Sequence, residues 1–170
     1  MRTTHRPAAF ILARMSDLPH GIRMIDVGAK PVSLRTARAS GRLRALPETI
    51  RRIRAGELEK GDAVATARIA GIMAAKRTSD IIPLCHPLPL DSVTITIGFE
   101  EAAVTIEAVV RATTRTGVEM EALVAVTAAG LAIYDMTKSI DPAMTLDAVQ
   151  LEEKTGGARG DYSRARRESV

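Results

Sequence analysis

A single cysteine, Cys85, stands in the 170-residue sequence, so an internal disulfide is excluded, and with only His5, His20 and His86 there is no cluster for a structural zinc. Tryptophan is absent, and aromatics amount to 2%: Phe10, Phe99, Tyr134 and Tyr162. Single-stranded nucleic acids are gripped largely by stacking on such side chains, so their scarcity argues against a nucleic-acid partner. No run approaches ~18 consecutive apolar residues, the length a membrane span needs, because Arg68, Asp135 and Lys138 break the longest apolar stretches. The run from Ala8 to Ala13 is too short for a secretory signal and meets Arg14 directly, so a cytoplasmic protein with no membrane partner is expected. Hydrophobic residues at 46% suffice for the core of one domain.

Lysine is scarce as well. Five lysines (Lys30, Lys60, Lys76, Lys138 and Lys154) stand against nineteen arginines, and only an amine can give up its proton near neutral pH. Charge is also uneven, with twelve Lys or Arg against three acids over residues 1–54 and twelve against seventeen thereafter. A basic segment without aromatics suits small phosphorylated partners better than RNA.

Residues 1–20 carry Pro7 and Pro19 with little periodicity and read as a mobile arm. Ile22, Met24 and Val27 predict a short first strand; Val32, Leu34, Leu43 and Leu46 predict a second with one apolar face. A short helix follows from Leu46 to Ala55, stopped by Gly56, and Asp62 caps a helix running to about Ser79. Pro83, Pro87 and Pro89 hold an extended connection. Alternation over Val93, Ile95, Ile97 and Phe99, then Val104, Ile106, Ala108 and Val110, predicts a β-hairpin. Thr116 and Glu119 have capping-box spacing ahead of a helix over about Val118 to Ser139, and a last strand runs from about Thr145 to Glu153. Leaving out the first strand and the short helix, the order is strand, helix, strand, strand, helix, strand. This is the α+β, ferredoxin-like (split βαβ) order, with an antiparallel sheet and two long helices on one face. The other face is expected to be apolar and to need a partner chain. Residues 21–162 form the single expected domain, and 163–170 a polar tail.

Lys60 precedes a glycine and a helix N-terminus, where the dipole helps depress an ammonium pKa and attracts anions. Asp135 and Lys138 are neighbours on one helix face, either as an ordinary ion pair or as a carboxylate that tunes a lysine for acid–base work. Cys85 and His86 are adjacent on a proline-stiffened loop; side chains of adjacent extended residues diverge, which rules out a direct nucleophile–base pair. Glu119 is explained by capping, Glu121 is not. Lys154, Gly156, Gly157, Arg159 and Gly160 form a cationic loop whose amides could wrap phosphates, although its order is not that of a Walker loop. Glu121 and Asp135 lie fourteen residues apart, near one helix face but about 21 Å apart along the axis. One pocket in one chain cannot easily use both, which favours a site assembled across a subunit interface.

Long blocks carry a resemblance. Lys60-Gly61-Asp62 with Ala65 to Gly71, Ala74 to Thr78 leading to Ile82-Pro83-Leu84-Cys85-His86-Pro87-Leu88, Thr116 to Leu123, and Ile133-Tyr134-Asp135-Met136 with Lys138 are similar to the cyclic pyranopterin monophosphate synthase family, the C protein of molybdenum cofactor biosynthesis. The likeness spans about residues 22–162. It implies a ferredoxin-like lyase that converts (8S)-3′,8-cyclo-7,8-dihydroguanosine 5′-triphosphate, made by a radical S-adenosylmethionine enzyme, to cyclic pyranopterin monophosphate and diphosphate. It further implies a hexamer of three dimers with pockets at the dimer interface. By position, Asp135 matches the family's active-site acid and Lys60 and Lys138 its proton-transfer lysines. Leu84, Cys85 and His86 match one substrate-binding segment, Met120 and Glu121 a second, Lys154 a phosphate-binding lysine, and Asp26 a pocket residue. No metal ligand and no resident cofactor are implied, with Mg²⁺ left open as a companion of the triphosphate. Arg115 and Arg159 stand where the family often has lysine and retain at most a phosphate-holding role. Two other readings compete: a non-catalytic sensor of purine nucleotides on the same fold, and a basic RNA-binding domain, which the missing aromatics disfavour.

Overall fold

The computed structural model describes residues 21–164. The expected arm over 1–20 and the last six residues of the expected tail lie outside them.

Five strands and four helices follow in the order β1 (Ser33–Arg44), α1 (Pro47–Ala55), α2 (Ala63–Ala75), α3 (Thr78–Ile81), β2 (Ser92–Phe99), β3 (Ala103–Thr114), α4 (Glu119–Thr137), β4 (Thr145–Thr155) and β5 (Tyr162–Ser163). The sheet order is β2-β3-β1-β4-β5 with every pairing antiparallel. With β5 as an added edge, this is the α+β, ferredoxin-like arrangement expected from the split βαβ order. Its inward rows are Ala37, Ala39 and Leu43 on β1 and Val104, Ile106, Ala108 and Val110 on β3, all buried. Small residues let the helices approach closely. A Cβ on Gly71 of α2 would lie 3.0 Å from the Ala125 carbonyl oxygen of α4 and 3.0 Å from Ile95 of β2, so any side chain there has to push its neighbours aside. Gly71→Val is therefore expected to destabilise the fold by about 1–3 kcal/mol through overpacking, read as a lower urea midpoint with an unchanged m-value.

Helix α4 is long and apolar enough, by length and composition, to cross a membrane. It is the core helix: Ala122, Ala125, Val126, Ala129 and Ile133 are fully buried, in one cluster with the inward rows of the sheet.

Four local expectations are corrected. No strand forms over residues 21–32: Gly28 donates its N–H to Asp26 Oδ1 at 2.8 Å and Lys30 to the Val27 carbonyl at 3.0 Å, so a turn takes the amides a ladder would need. The helix from Asp62 stops at Ala75 rather than Ser79; Thr78 Oγ1 donates to the Ala75 carbonyl at 3.0 Å and opens the separate α3. The boundary at 162 moves outward, because Tyr162 and Ser163 pair with β4 and Arg164 N–H donates to the Glu152 carbonyl at 2.7 Å. The outer sheet face is polar, not apolar. Arg38 bridges Glu107 at 2.9 Å and Glu153 at 2.7 Å, and Arg42 pairs with Glu100. The outward residues of β1, Thr36, Arg38, Ser40, Arg42 and Arg44, are polar throughout, as alternation about a one-sided core requires.

Candidate active site

The predicted residues fall into two groups at opposite ends of α4. At its C-terminal end, Lys60, Asp135 and Lys138 come together within one chain. Asp62 accepts the amides of Val64 and Ala65, each at 2.9 Å, and so fixes the start of α2 just beyond Lys60. Lys60 thereby reaches the end of α4, where its Nζ donates to Asp135 Oδ2 at 2.8 Å and to the Asp135 carbonyl at 2.9 Å. That carbonyl belongs to the last turn, where helical acceptors lack partners and the dipole favours a cation. Lys138, the C-cap residue of α4, places its Nζ 2.8 Å from Asp135 Oδ1. One carboxylate thus holds two ammonium groups, one on each oxygen.

The electrostatics follow from that sharing. Lys138 first, and Lys60 second, hold the Asp135 carboxyl down at about 2. Asp135 in turn raises Lys138 above the ordinary lysine value. At Lys138 the carboxylate tunes the lysine upward, because the nearest charge is an anion. All three side chains are about half exposed, so the cluster faces solvent in the isolated chain.

The second group surrounds the N-terminus of α4. Glu121 is only 3% exposed, and burial, followed by the charge of Glu119, pushes its carboxyl up. Burial raises the Cys85 thiol, and the Glu121 charge adds to this, so Cys85 is held as a thiol. Its loop leaves His86 half-buried and Leu84 exposed; Met120 on α4 is exposed too. Lys154 Nζ lies 3.2 Å from Glu119 Oε1. Helix α4 begins after Val118 without a side-chain cap, so the capping box suggested by Thr116 and Glu119 does not form; Glu119 turns to Lys154 instead. Asp26 spends a carboxylate oxygen on the turn to Gly28, and no hydrogen bond or ion pair joins it to another predicted site residue among those described.

Arg35 escaped the sequence reading. It belongs to the inward row of β1, is 9% exposed, and its Nε has no hydrogen-bond partner. It also appears in no ion pair among the described residues. Register places Lys154 opposite Ala37, the next inward position, so both cations serve the same end of the sheet. Above Arg35 runs the Gly156–Gly157 loop, with φ of 84° and 101°; a Cβ on Gly157 would run into the guanidinium and one on Gly156 into the Leu34 carbonyl. An arginine in a row of Ala37, Ala39, Gly41 and Leu43 is itself a signal, because a charge on an inward face needs a partner.

Two concavities of the isolated chain hold none of these side chains. One is lined by Arg42, Arg44, Glu100 and Asp141 near the hairpin, the other by Ser40, Thr96, Thr105 and Glu107 on the outer sheet face. Among the described residues, no three His, Cys, Asp or Glu side chains gather as a metal site.

Comparison with known proteins bears on this geometry. The family model described as MoaC family matches residues 24–157. The chain is 54% identical over 155 residues to cyclic pyranopterin monophosphate synthase of Roseiflexus sp. (strain RS-1), covering 87% of this chain and 98% of that relative. It is 57% identical over 141 residues to the synthase of Herpetosiphon aurantiacus, covering 82% and 86%. Against cyclic pyranopterin monophosphate synthase 3 of Mycobacterium tuberculosis (strain H37Rv) the identity is 54% over 143 residues, covering 84% and 81%.

Proposed function

The chain belongs to the MoaC family, and from that premise we infer that it is a cyclic pyranopterin monophosphate synthase. This lyase of molybdenum cofactor biosynthesis turns (8S)-3′,8-cyclo-7,8-dihydroguanosine 5′-triphosphate into cyclic pyranopterin monophosphate and diphosphate. The observation that carries the reading is the convergence of Lys60 and Lys138 on the single carboxylate of Asp135.

The chemistry has two parts, and the two ends of α4 suit one each. Opening the five-membered ring of the purine and rebuilding it as a pterin requires repeated proton transfers, which the amines of Lys60 and Lys138 supply. With Asp135 ionised, Lys138 rests as an ammonium and acts first as a proton donor. It accepts a proton only after it has given one up. Closing the cyclic phosphate by attack of a sugar hydroxyl at the α-phosphorus, with diphosphate leaving, requires fixed positive charge around the triphosphate. Arg35 and Lys154 supply it, and the glycines of the loop above Arg35 leave its guanidinium the space that a side chain there would take. Glu121, buried with a raised pKa, offers an O–H or a carboxylate to the edge of the base. Leu84, Cys85, His86 and Met120 line the same end, and Asp26 belongs to the segment that leads into it. No step calls for a resident cofactor; Mg²⁺, where present, travels with the triphosphate.

One substrate cannot touch both ends of a single α4, which lie about 21 Å apart. The pocket is therefore read as shared: the Asp135 end of one protomer meets the Glu121 end of another, in a dimer from which a hexamer of three dimers is built. Supporting this, neither concavity described above contains Lys60, Asp135, Lys138, Arg35, Glu121 or Lys154. The substrate derives from GTP through a radical S-adenosylmethionine enzyme, which puts this step next to that enzyme and in the cytoplasm.

Incubation with the cyclic triphosphate tests the reading. Stoichiometric release of diphosphate and cyclic pyranopterin monophosphate is expected. Binding without diphosphate release would instead make the chain a nucleotide sensor.

A further inference from the structure

We infer that Glu119 is a positioning residue, a latch that competes with the substrate's phosphates for Lys154 and hastens the departure of diphosphate. This rests on the synthase reading for its ligand.

Local sequence and tertiary structure disagree at Glu119. Three residues after Thr116, it has the spacing of a capping box, and a first-turn glutamate ordinarily bonds back to its own helix. Here α4 starts without a side-chain cap while the Glu119 carboxylate reaches across to β4 and Lys154, at 3.2 Å. Gly117 leaves room for this, since a Cβ there would fall on the Glu119 carboxylate. Departures from local rules concentrate where function demands them.

The second cation of the site marks what the pair is for. Arg35 is 9% exposed, and no carboxylate is paired with it among the described residues. Arg35 is thus a fixed and unmasked charge, whereas Lys154 is masked. Both members of the Lys154–Glu119 pair are only about a quarter exposed, at 28% and 27%, so the carboxylate and an incoming phosphate cannot both stay against the ammonium without two anions in contact. The contact is also single and longer than the 2.8 Å that Lys60 and Lys138 each make with Asp135. A loose pair is one that a doubly charged phosphate can open. After cyclisation the leaving diphosphate carries more charge per phosphorus than the triphosphate did, and the carboxylate recovers Lys154 as it goes.

Calorimetric titration with inorganic diphosphate tests the latch in four proteins: the unsubstituted chain, Glu119→Gln, Lys154→Ala, and Glu119→Gln combined with Lys154→Ala. Glu119→Gln is expected to bind diphosphate about two- to five-fold more tightly, the range of a partly screened ion pair. In turnover, KM and kcat should then fall together as product release slows. The gain should vanish when Lys154 is alanine. Unchanged or weaker diphosphate binding in Glu119→Gln overturns the latch, and so does an equal gain in the Lys154→Ala background, which would reduce Glu119 to general repulsion. Turnover of the cyclic triphosphate by the unsubstituted protein is measured alongside. Its absence would remove the synthase reading, while the diphosphate titrations still judge the latch.

Discussion

Lys138→Ala and Lys60→Ala should each lower kcat/KM for the cyclic triphosphate by about 10²–10⁴-fold, the usual worth of a placed proton-transfer group. Circular dichroism of the folded chain should be unaffected. The reason is exposure: the side chains of residues 60, 135 and 138 are 50%, 57% and 55% exposed, so truncation leaves neither a cavity nor a stranded buried charge. Asp135→Asn is more informative, because it works through the lysines. Lowered to about 2, the carboxyl is ionised at every pH at which the enzyme would be assayed. Any contribution of this cluster to stability is present above the ordinary Asp value and is lost only as pH falls through about 2. Removing the charge leaves two ammonium groups facing each other and takes away what raises Lys138. The alkaline limb of kcat/KM, where the donor lysine loses its proton, should therefore move to lower pH. A limb that stays in place, with full activity in either alanine variant, would end the proposed roles.

Two defective chains should repair one another. Lys138→Ala and Lys154→Ala damage opposite ends of α4, so if each pocket draws those ends from different protomers, random reassortment yields roughly a quarter of sites with neither change. Unfolding and refolding the two variants together should restore a matching share of activity at limiting substrate. Mixing Lys60→Ala with Lys138→Ala should restore none, since both groups hang on one Asp135 and one chain always supplies that end. Recovery in neither mixture would mean that a single chain completes its own site, contrary to the length of α4.

Much of this was legible because it is local. The β2–β3 hairpin appears as period-two alternation, Asp62 as the cap before α2, and Gly56 as the left-handed end of α1 with φ of 69°. The two lysines were legible as amines in an arginine-dominated chain. Arg35 was passed over although its position in the inward row of β1 marks it, and the expected apolar outer face overlooked the polar register of Thr36, Arg38, Ser40 and Arg42. Glu119 was assigned to capping because the rule that places it counts residues along one helix and cannot see Lys154, thirty-five positions away.

The split βαβ core of the fold and the family were legible in the sequence alone, since periodicity, caps and turn residues act over a few neighbours. Pairings between distant residues were decided only in three dimensions. Lys60 and Asp135, seventy-five positions apart, meet because α2 begins where α4 ends. The pairing of Asp135 with Lys138, three positions along one helix, is local, but only the fold brings a second ammonium to the same carboxylate.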